Sequence, residues 1–583
     1  MSNQKPANFV RLSRDYLSPH KAGLLFGGLF VTISNMCSAY YPRLIGQTVD
    51  VIAHGDAMLG TVLTNIGYIL LLTLGSGFFM FATRKTIIVA SRKIEYQLRR
   101  DFLAALEQHS QRYFDRMPTG VLMAHATNDI SAVREFLGPA IMYSANTVTT
   151  FAFVITLMIA LDPLTTGVAL LPLPFIALTT YKIGKQIYGA SRRVQEEFSN
   201  LTRHAQEAFS GIRIIRAFVR EPYEEGLFAK QSKAYVTSNV KLARLNALFM
   251  PSMMMLVGSA QLLVLLFGGY RVVSGELSIG SLTQFFIYLG QLIWPIAAIG
   301  WVTGIIQRSA ASLDRLYSVL DAEPEIKFPH HSLRLPRRFD ISCKDVSFSY
   351  DAHKPVLTKI TCAIEEGKHV GIVGPIGSGK STLVRLLARL YDPDSGAIAI
   401  DNVPIAMLNA NDLRQFVRCV PQESFLFSMS IAENICVGNP QATENEIWHA
   451  LDQAGIADEV SRFPDGLNTI VGERGVLLSG GQRQRLAIAR ALIGRPQVLL
   501  FDDALSAVDT QTERHILAHL RKLNCTTIIV THRISTIEHC DEIFVLEQGR
   551  ITAHGSHQRL LSTSSFYQKL YERQLLEQQL QLH

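Results

Sequence analysis

The residues Gly374-Pro375-Ile376-Gly377-Ser378-Gly379-Lys380-Ser381 follow directly on a short apolar run, His369-Val370-Gly371-Ile372-Val373. A G-x-x-x-x-G-K-S pattern between a buried strand and a helix start is a phosphate cradle. Gly374, Gly377 and Gly379, with Ser378 among them, let main-chain N–H groups curl around a phosphate, and the following helix points its positive end at the same anion. Lys380 is suited to neutralise β- and γ-phosphate charge, and Ser381, followed by Thr382, offers a hydroxyl to Mg2+. Downstream, the apolar run Val498–Phe501 ends in two carboxylates, Asp502 and Asp503. Asp502 is expected to hold Mg2+, and Asp503 stands where a base for the attacking water belongs.

Between these motifs lies Leu478-Ser479-Gly480-Gly481-Gln482-Arg483-Gln484-Arg485, followed by the helix-patterned Leu486–Ile493. The Ser479 hydroxyl and the N–H groups of Gly480 and Gly481 at a helix start form a second anion site. One phosphate loop already accounts for one triphosphate. The simplest ligand for the second site is therefore an ATP held by a different chain.

The elements that must carry this chemistry are unevenly composed. Of 583 residues, 48% are hydrophobic and 18% charged, against roughly 25% charged in ordinary soluble domains. Six apolar stretches, about 22–45, 59–82, 137–161, 163–183, 246–270 and 281–306, approach or exceed the ~20 residues that cross a bilayer. Residues 84–135 carry nine Lys/Arg and residues 182–244 carry twelve, whereas the alternate loops hold only Arg271. The positive-inside rule then puts both long loops, the N-terminus and the C-terminal domain in the cytoplasm of a multi-pass protein of the inner (plasma) membrane. The net charge of +7 is on this reading a topology signal, and nucleic acid is not an expected partner. Residues 1–21 form a cytoplasmic segment, with Phe9, Val10, Leu12, Tyr16 and Leu17 suited to a helix on the inner surface, and no cleavable signal peptide is evident. Residues 22–322 are expected as the membrane domain, 323–338 as a Pro- and Arg-containing linker, 339–565 as an α/β P-loop ATPase domain and 566–583 as a Gln-rich helical tail. The cysteines form no C-x-x-C pair and read as reduced structural thiols. Loops of 50–60 residues rich in helix formers are better read as helices projecting into the cytoplasm than as coil.

In this order the motifs resemble the ABC transporter family, specifically its exporter-type half-transporters, which join a six-span helical membrane domain to an α/β ATPase. The resemblance spans nearly the whole chain. It implies adenine stacking on Tyr350, a Gln loop at Gln422 that reaches the metal and the water, the Gly472-Glu473-Arg474-Gly475 segment, the loop Ser506-Ala507-Val508-Asp509 and a switch histidine, His532. It further implies two ATPase domains enclosing two ATP–Mg2+ head to tail, with Ser479, Gly480, Gly481, Gln482 and Asp509 completing the partner's site. Segments near Pro118–Asp129 and Ala208–Arg216 look like its coupling helices.

One residue departs from the family pattern. Glu normally follows the Walker B aspartate, and Asp503 withdraws that carboxylate by roughly 1.5 Å; a misplacement of ~1 Å can cost on the order of 100-fold in rate. A weakened base beside an intact signature is what one half of a heterodimer should carry, its partner being a second ABC half-transporter with a catalytic Glu. The alternatives are a homodimeric exporter with slow hydrolysis, or a non-exporter ABC membrane protein such as a siderophore importer or an ATP-gated regulator. Amphipathic drugs, lipids or peptides suit a pathway lined by Phe78, Phe79, Phe81, Tyr143, Phe249, Met253, Met254, Met255, Phe285, Phe286, Trp294 and Trp301. Asn35, Asn146, Gln261, Gln284 and Gln291 are polar candidates for that lining or for helix–helix hydrogen bonds.

Overall fold

The computed structural model describes residues 5–54, 59–332, 334–351 and 354–581. It divides into two units, Met1–Glu107 with Thr119–Ala322, and Gln108–Pro118 with Glu323–His583.

The described residues of the first unit form helices joined by short turns. Among the described residues, four helical segments are long and apolar enough to cross a membrane: Asn8–Ala53, Leu59–Gln108, Thr119–Leu161 and Ile279–Leu320. The fourth and fifth apolar stretches lie on Pro163–Leu170, Leu173–Ser210 and Glu221–Val273. Asp162 caps the first of these by accepting from the Thr165 N–H, with Pro163 at the first helical position, where a missing N–H costs nothing. Glu221–Val273 has 53 residues, which at ~1.5 Å per residue far exceeds a ~30 Å hydrocarbon layer. Its polar N-terminal half is thus an extension beyond the apolar span. The same holds for the polar Val89–Gln108 that continues the second span.

Phe285, Tyr288 and Leu292 are buried in a cluster with Val154, Met158 and Val264. Phe285 is therefore core and lines no open pathway. Phe78, Phe81, Met254, Met255, Trp294 and Trp301 are exposed on the single chain, while the side chain of Met253 lies outside the described residues. Asn35 Nδ2 donates to Thr149 Oγ1 at 2.6 Å and to the Asn146 carbonyl at 3.2 Å. Gln291 Nε2 donates to the Ser38 carbonyl at 2.8 Å. These amides tie helices together, the favoured use of a polar side chain in hydrocarbon. The N-terminal helix Lys5–Leu12 buries Leu12 against Ile94, Leu98, Leu316 and Tyr317, so its apolar face packs on protein.

The second unit contains two sheets. A four-stranded antiparallel sheet has the order β2-β1-β4-β5, with β1 Ile341–Ser349, β2 Pro355–Ile364, β4 Ser395–Ile400 and β5 Val403–Pro404. A six-stranded sheet has the order β10-β9-β3-β8-β7-β6, with β3 His369–Val373, β6 Val417–Val420, β7 Val498–Asp502, β8 Thr526–Val530, β9 Glu542–Glu547 and β10 Arg550–Gly555. Its strands are parallel except for the edge strand β10. β7 and β8 are buried along their whole length, as parallel strands covered on both faces must be. Ligands of such sheets sit beyond the carboxyl ends of the strands, which is where the Gly374–Ser381 loop, Gln422, Asp502, Asp503 and His532 emerge.

A short helix, Gln111–Arg116, belongs to this unit although it interrupts the helices of the other. Its Arg112 donates to the Ser349 carbonyl at 2.7 Å, and its Asp115 accepts from the Tyr391 hydroxyl. The first crossing helix thus lies upstream of the expected Pro118–Asp129 segment, which is instead the start of the returning helix. Pro118 marks the restart and not the turn itself. A second short helix, Ile212–Ala217, overlaps the other expected segment, Ala208–Arg216.

Candidate nucleotide site

The loop after β3 runs from Gly374 to Gly379 and the helix Lys380–Leu387 begins at its end. Gly379 sits at φ +100°, a conformation open to glycine. At Gly374 an added Cβ would lie 2.0 Å from the Leu546 carbonyl oxygen, so only glycine permits this approach to β9. Gly377 also has positive φ. Lys380 Nζ donates to the carbonyls of Gly374 at 2.8 Å and Pro375 at 2.7 Å, folded back over the loop that it closes. Burial lowers its pKa, against the pull of Asp503 and Asp502. Ser378 is buried, and its hydroxyl has no hydrogen-bond partner among the described residues.

Ser381 Oγ donates to Asp502 Oδ1 at 2.6 Å, so the phosphate-loop hydroxyl and the carboxylate of β7 meet across the sheet. Thr382 is buried, with its hydroxyl 3.2 Å from Tyr350 Oη, which also accepts from Arg385 at 3.3 Å. Tyr350 stands edge-on to both Phe348 and Tyr391. Gln422 is exposed in the loop after β6.

Asp503 directly follows β7 and takes a left-handed conformation, φ +50°, which Asp tolerates better than most residues. Its N–H donates to the Val530 carbonyl at 2.9 Å and its carbonyl accepts from Ser506 Oγ at 2.8 Å. Asp503 Oδ1 lies 3.3 Å from His532 Nδ1, an ion-pair distance without hydrogen-bond alignment. Burial raises the Asp503 pKa; His532 opposes the rise and Asp502 adds to it.

Ser479 caps the helix Gly480–Leu492. Its hydroxyl accepts from the Gln482 N–H at 3.2 Å and its N–H donates to Gln482 Oε1 at 2.9 Å, a reciprocal capping box. Gln482 Nε2 donates to Glu459 at 2.8 Å, so its amide is used inside the domain and shapes the helix start. Gly480 and Gly481 pack beside Ala507. Asp509 caps the next helix, Thr510–Leu520, by accepting from the N–H groups of Gln511 and Thr512. Sequence reasoning missed Gln484, whose Oε1 accepts from the Ala507 N–H at 3.0 Å and joins the signature helix to the Ser506–Asp509 loop. It also missed Arg533, which donates to the Ser506 carbonyl at 2.8 Å and pairs with the buried Glu513 at 3.2 Å. Their positions three residues past Gly481 and one past His532 were the available signal.

Residues 24–296 match the ABC transporter transmembrane region, and residues 357–506 match the ABC transporter family. The chain is 35% identical over 549 residues to the probable multidrug resistance ABC transporter ATP-binding/permease protein YheI of Bacillus subtilis (strain 168), covering 93% of both. It is 34% identical over 540 residues to the multidrug resistance-like ATP-binding protein MdlA of Escherichia coli (strain K12), covering 92% of this chain and 91% of that one. A bacterial Atm1-family ABC exporter solved with ATP bound superposes with a TM-score of 0.80 at 29% identity, over 96% of this chain and 99% of that one. The chain belongs to the ABC transporter family. It is an exporter-type half-transporter, a multi-pass membrane protein whose ATPase drives transport.

Proposed function

We propose that this chain is one half of a heterodimeric exporter and contributes the slower of its two ATP sites. The observation that carries this reading is the pairing of Asp503, short by one methylene, with an intact helix cap at Ser479. A shortened base weakens the site built on this chain's own phosphate loop. The signature helix serves the other chain's ATP, so an intact Ser479–Gln482 supports a competent site completed by a partner that carries Glu. The likeness to MdlA, named as multidrug resistance-like, supports amphipathic cargo. The basic loops support a cytoplasmic ATPase domain and N-terminus.

The residues fit a magnesium nucleotide. Ser381 and Asp502 present hard oxygen donors side by side, and Mg2+ is commonly bound by one or two such groups plus substrate phosphates and water. The orphaned hydroxyl of Ser378 and the close approach at Gly374 suit a loop built to receive a phosphate. Ser381, Asp502 and Gln422 would hold the metal, which neutralises charge on the phosphates. Lys380 binds phosphate oxygens, Tyr350 presents a ring to the base, Asp503 accepts the proton of the attacking water and His532 orients that water.

Purification of the chain with the product of a neighbouring gene tests the assembly. A one-to-one complex with two kinetically distinct single-turnover phases is expected. A homodimer with a single phase overturns the asymmetric reading in favour of slow symmetric hydrolysis.

A further inference from the structure

His532 is 61% exposed and its ring meets Asp503 at 3.3 Å. An imidazole so little enclosed is aimed mainly by its main chain. That main chain is held from the far end of the sequence, by the helix Ser565–Gln581. Gln574 Nε2 donates to the His532 carbonyl at 2.6 Å, and Gln574 Oε1 accepts from the Ile534 N–H at 2.8 Å. The two ends of one amide thus grip the chain on both sides of Arg533. The orientation of that amide is fixed, because a flip would set NH2 against N–H and oxygen against oxygen.

The helix is well anchored for this task. Tyr567 is fully buried, its hydroxyl lies 2.8 Å from His557 Nδ1, and Leu570 and Tyr571 pack on the same core. Residues 567, 571 and 574 share one helix face, so the burial of Tyr567 directs Gln574 toward the loop. On the opposite side Arg533 is fixed to Ser506 and Glu513. The segment 532–534 is therefore held by the tail helix and by the loop that follows Asp503.

We propose that Gln574 is a positioning residue for ATP hydrolysis, acting through the main chain of His532 to set where the imidazole stands. The inference rests on the role given to His532 above. It assigns to the Gln-rich tail a part in the chemistry of this chain's own site.

Gln574→Met keeps the size and packing of the side chain and removes both hydrogen bonds. Gln574→Glu keeps an acceptor for Ile534 but turns a carboxylate toward the His532 carbonyl. In the assembled full-length transporter, single-turnover hydrolysis of prebound radiolabelled ATP is followed beside equilibrium binding of a fluorescent ATP analogue and hydrogen exchange at the Ile534 amide. Both variants are expected to slow one phase by about tenfold, within the loss that a sub-ångström misplacement can cause, and to leave analogue affinity unchanged; Gln574→Met, which loses the acceptor for the Ile534 N–H, is expected also to speed exchange there. Hydrolysis unaltered in every phase, or a loss of affinity parallel to the loss of rate, overturns the proposal. The number of phases reports separately on asymmetry between the two sites, so failure of that reading is distinguishable from failure of this one.

Discussion

Asp503 Oδ1 and His532 Nδ1 are 3.3 Å apart, at the ends of the adjacent parallel strands β7 and β8. The pairing of Asp502 with Val530 in those strands fixes the backbone on both sides, so the gap is set by side-chain length. The proposed base and water-orienting group are together, but the carboxylate spends its reach toward the imidazole. Lys380 and Ser381, by contrast, are closed tightly onto their partners. On the proposed roles, the nucleotide-binding groups have close partners while the base is short, a combination suited to retaining nucleotide longer than it is hydrolysed.

Asp503→Glu restores the missing methylene. Hydrolysis at this chain's site is expected to rise by about 10- to 100-fold, the range that ångström-scale alignment commands, with nucleotide affinity little changed. Phosphate release in single-turnover experiments measures it. An unchanged rate would show that the reach of the base is not what limits this site.

Gly481→Asp places a carboxylate at the proposed anion site and a Cβ 2.9 Å from the Ala507 carbonyl oxygen. Steady-state turnover of the complex is expected to fall below detection while ATP binding at this chain's phosphate loop persists. Ser479→Ala removes one half of the capping box, at a cost of about 1 kcal/mol to the helix start. It should lower turnover with a small effect on melting temperature. Turnover that survives both substitutions would refute the role given to this helix.

The phosphate loop, the carboxylates at the end of β7 and the signature helix were legible in the sequence because each rests on local chemistry: glycines where backbone must approach, a capping residue three before its partner, an apolar run before a charge. The membrane helices were legible by composition, but the first crossing helix was misplaced to Pro118–Asp129. Proline and glycine mark where a helix restarts, whereas Gln111–Arg116 is defined by contacts of Arg112 and Asp115 with residues more than 230 positions away. Phe285 was read as lining because aromatic character does not distinguish a helix's buried face from its open one. Gln574 gave no signal at all, since a glutamine among glutamines acquires meaning only when His532 is brought beside it.

Burial raises the Asp503 pKa above its ordinary 3.8, with His532 opposing and Asp502 adding to the rise. The folded domain therefore binds this proton more tightly than the unfolded chain does. The resulting stabilisation is complete below the unfolded value and is lost as pH rises through the folded one. At about pH 7 the ionised carboxylate is a standing cost in the nucleotide-free protein, and Asp503→Asn removes it. The Asn variant should melt at a higher temperature than its parent at neutral pH, with the gap narrowing as pH falls toward the unfolded value, while its hydrolysis is lost. A gap that is constant with pH, or of opposite sign, would remove ionisation of Asp503 as the cause.

The helix Gln111–Arg116 meets the aromatic cluster that carries Tyr350. Arg112 lies 5.4 Å from the centre of the Phe348 ring and donates to the Ser349 carbonyl, one residue before Tyr350. Asp115 accepts from Tyr391, which stands edge-on to Tyr350. Burial and the nearby Asp115 push the Tyr391 phenol upward in pKa, so this hydrogen bond keeps its proton throughout the physiological range. The ring proposed to meet the base is thus connected through two contacts to a helix that is continuous in sequence with the membrane spans. Arg112→Ala combined with Tyr391→Phe should leave ATP hydrolysis within about threefold of the parent, because neither group touches phosphate, water or metal, and rate losses of 100-fold follow from misplacing groups that do. ATP-driven dye accumulation in inside-out vesicles should fall by about tenfold or more, a larger loss than that in hydrolysis. Equal losses of hydrolysis and transport would assign these contacts to the integrity of the ATPase fold; a selective loss of transport assigns them to the coupling between nucleotide and membrane.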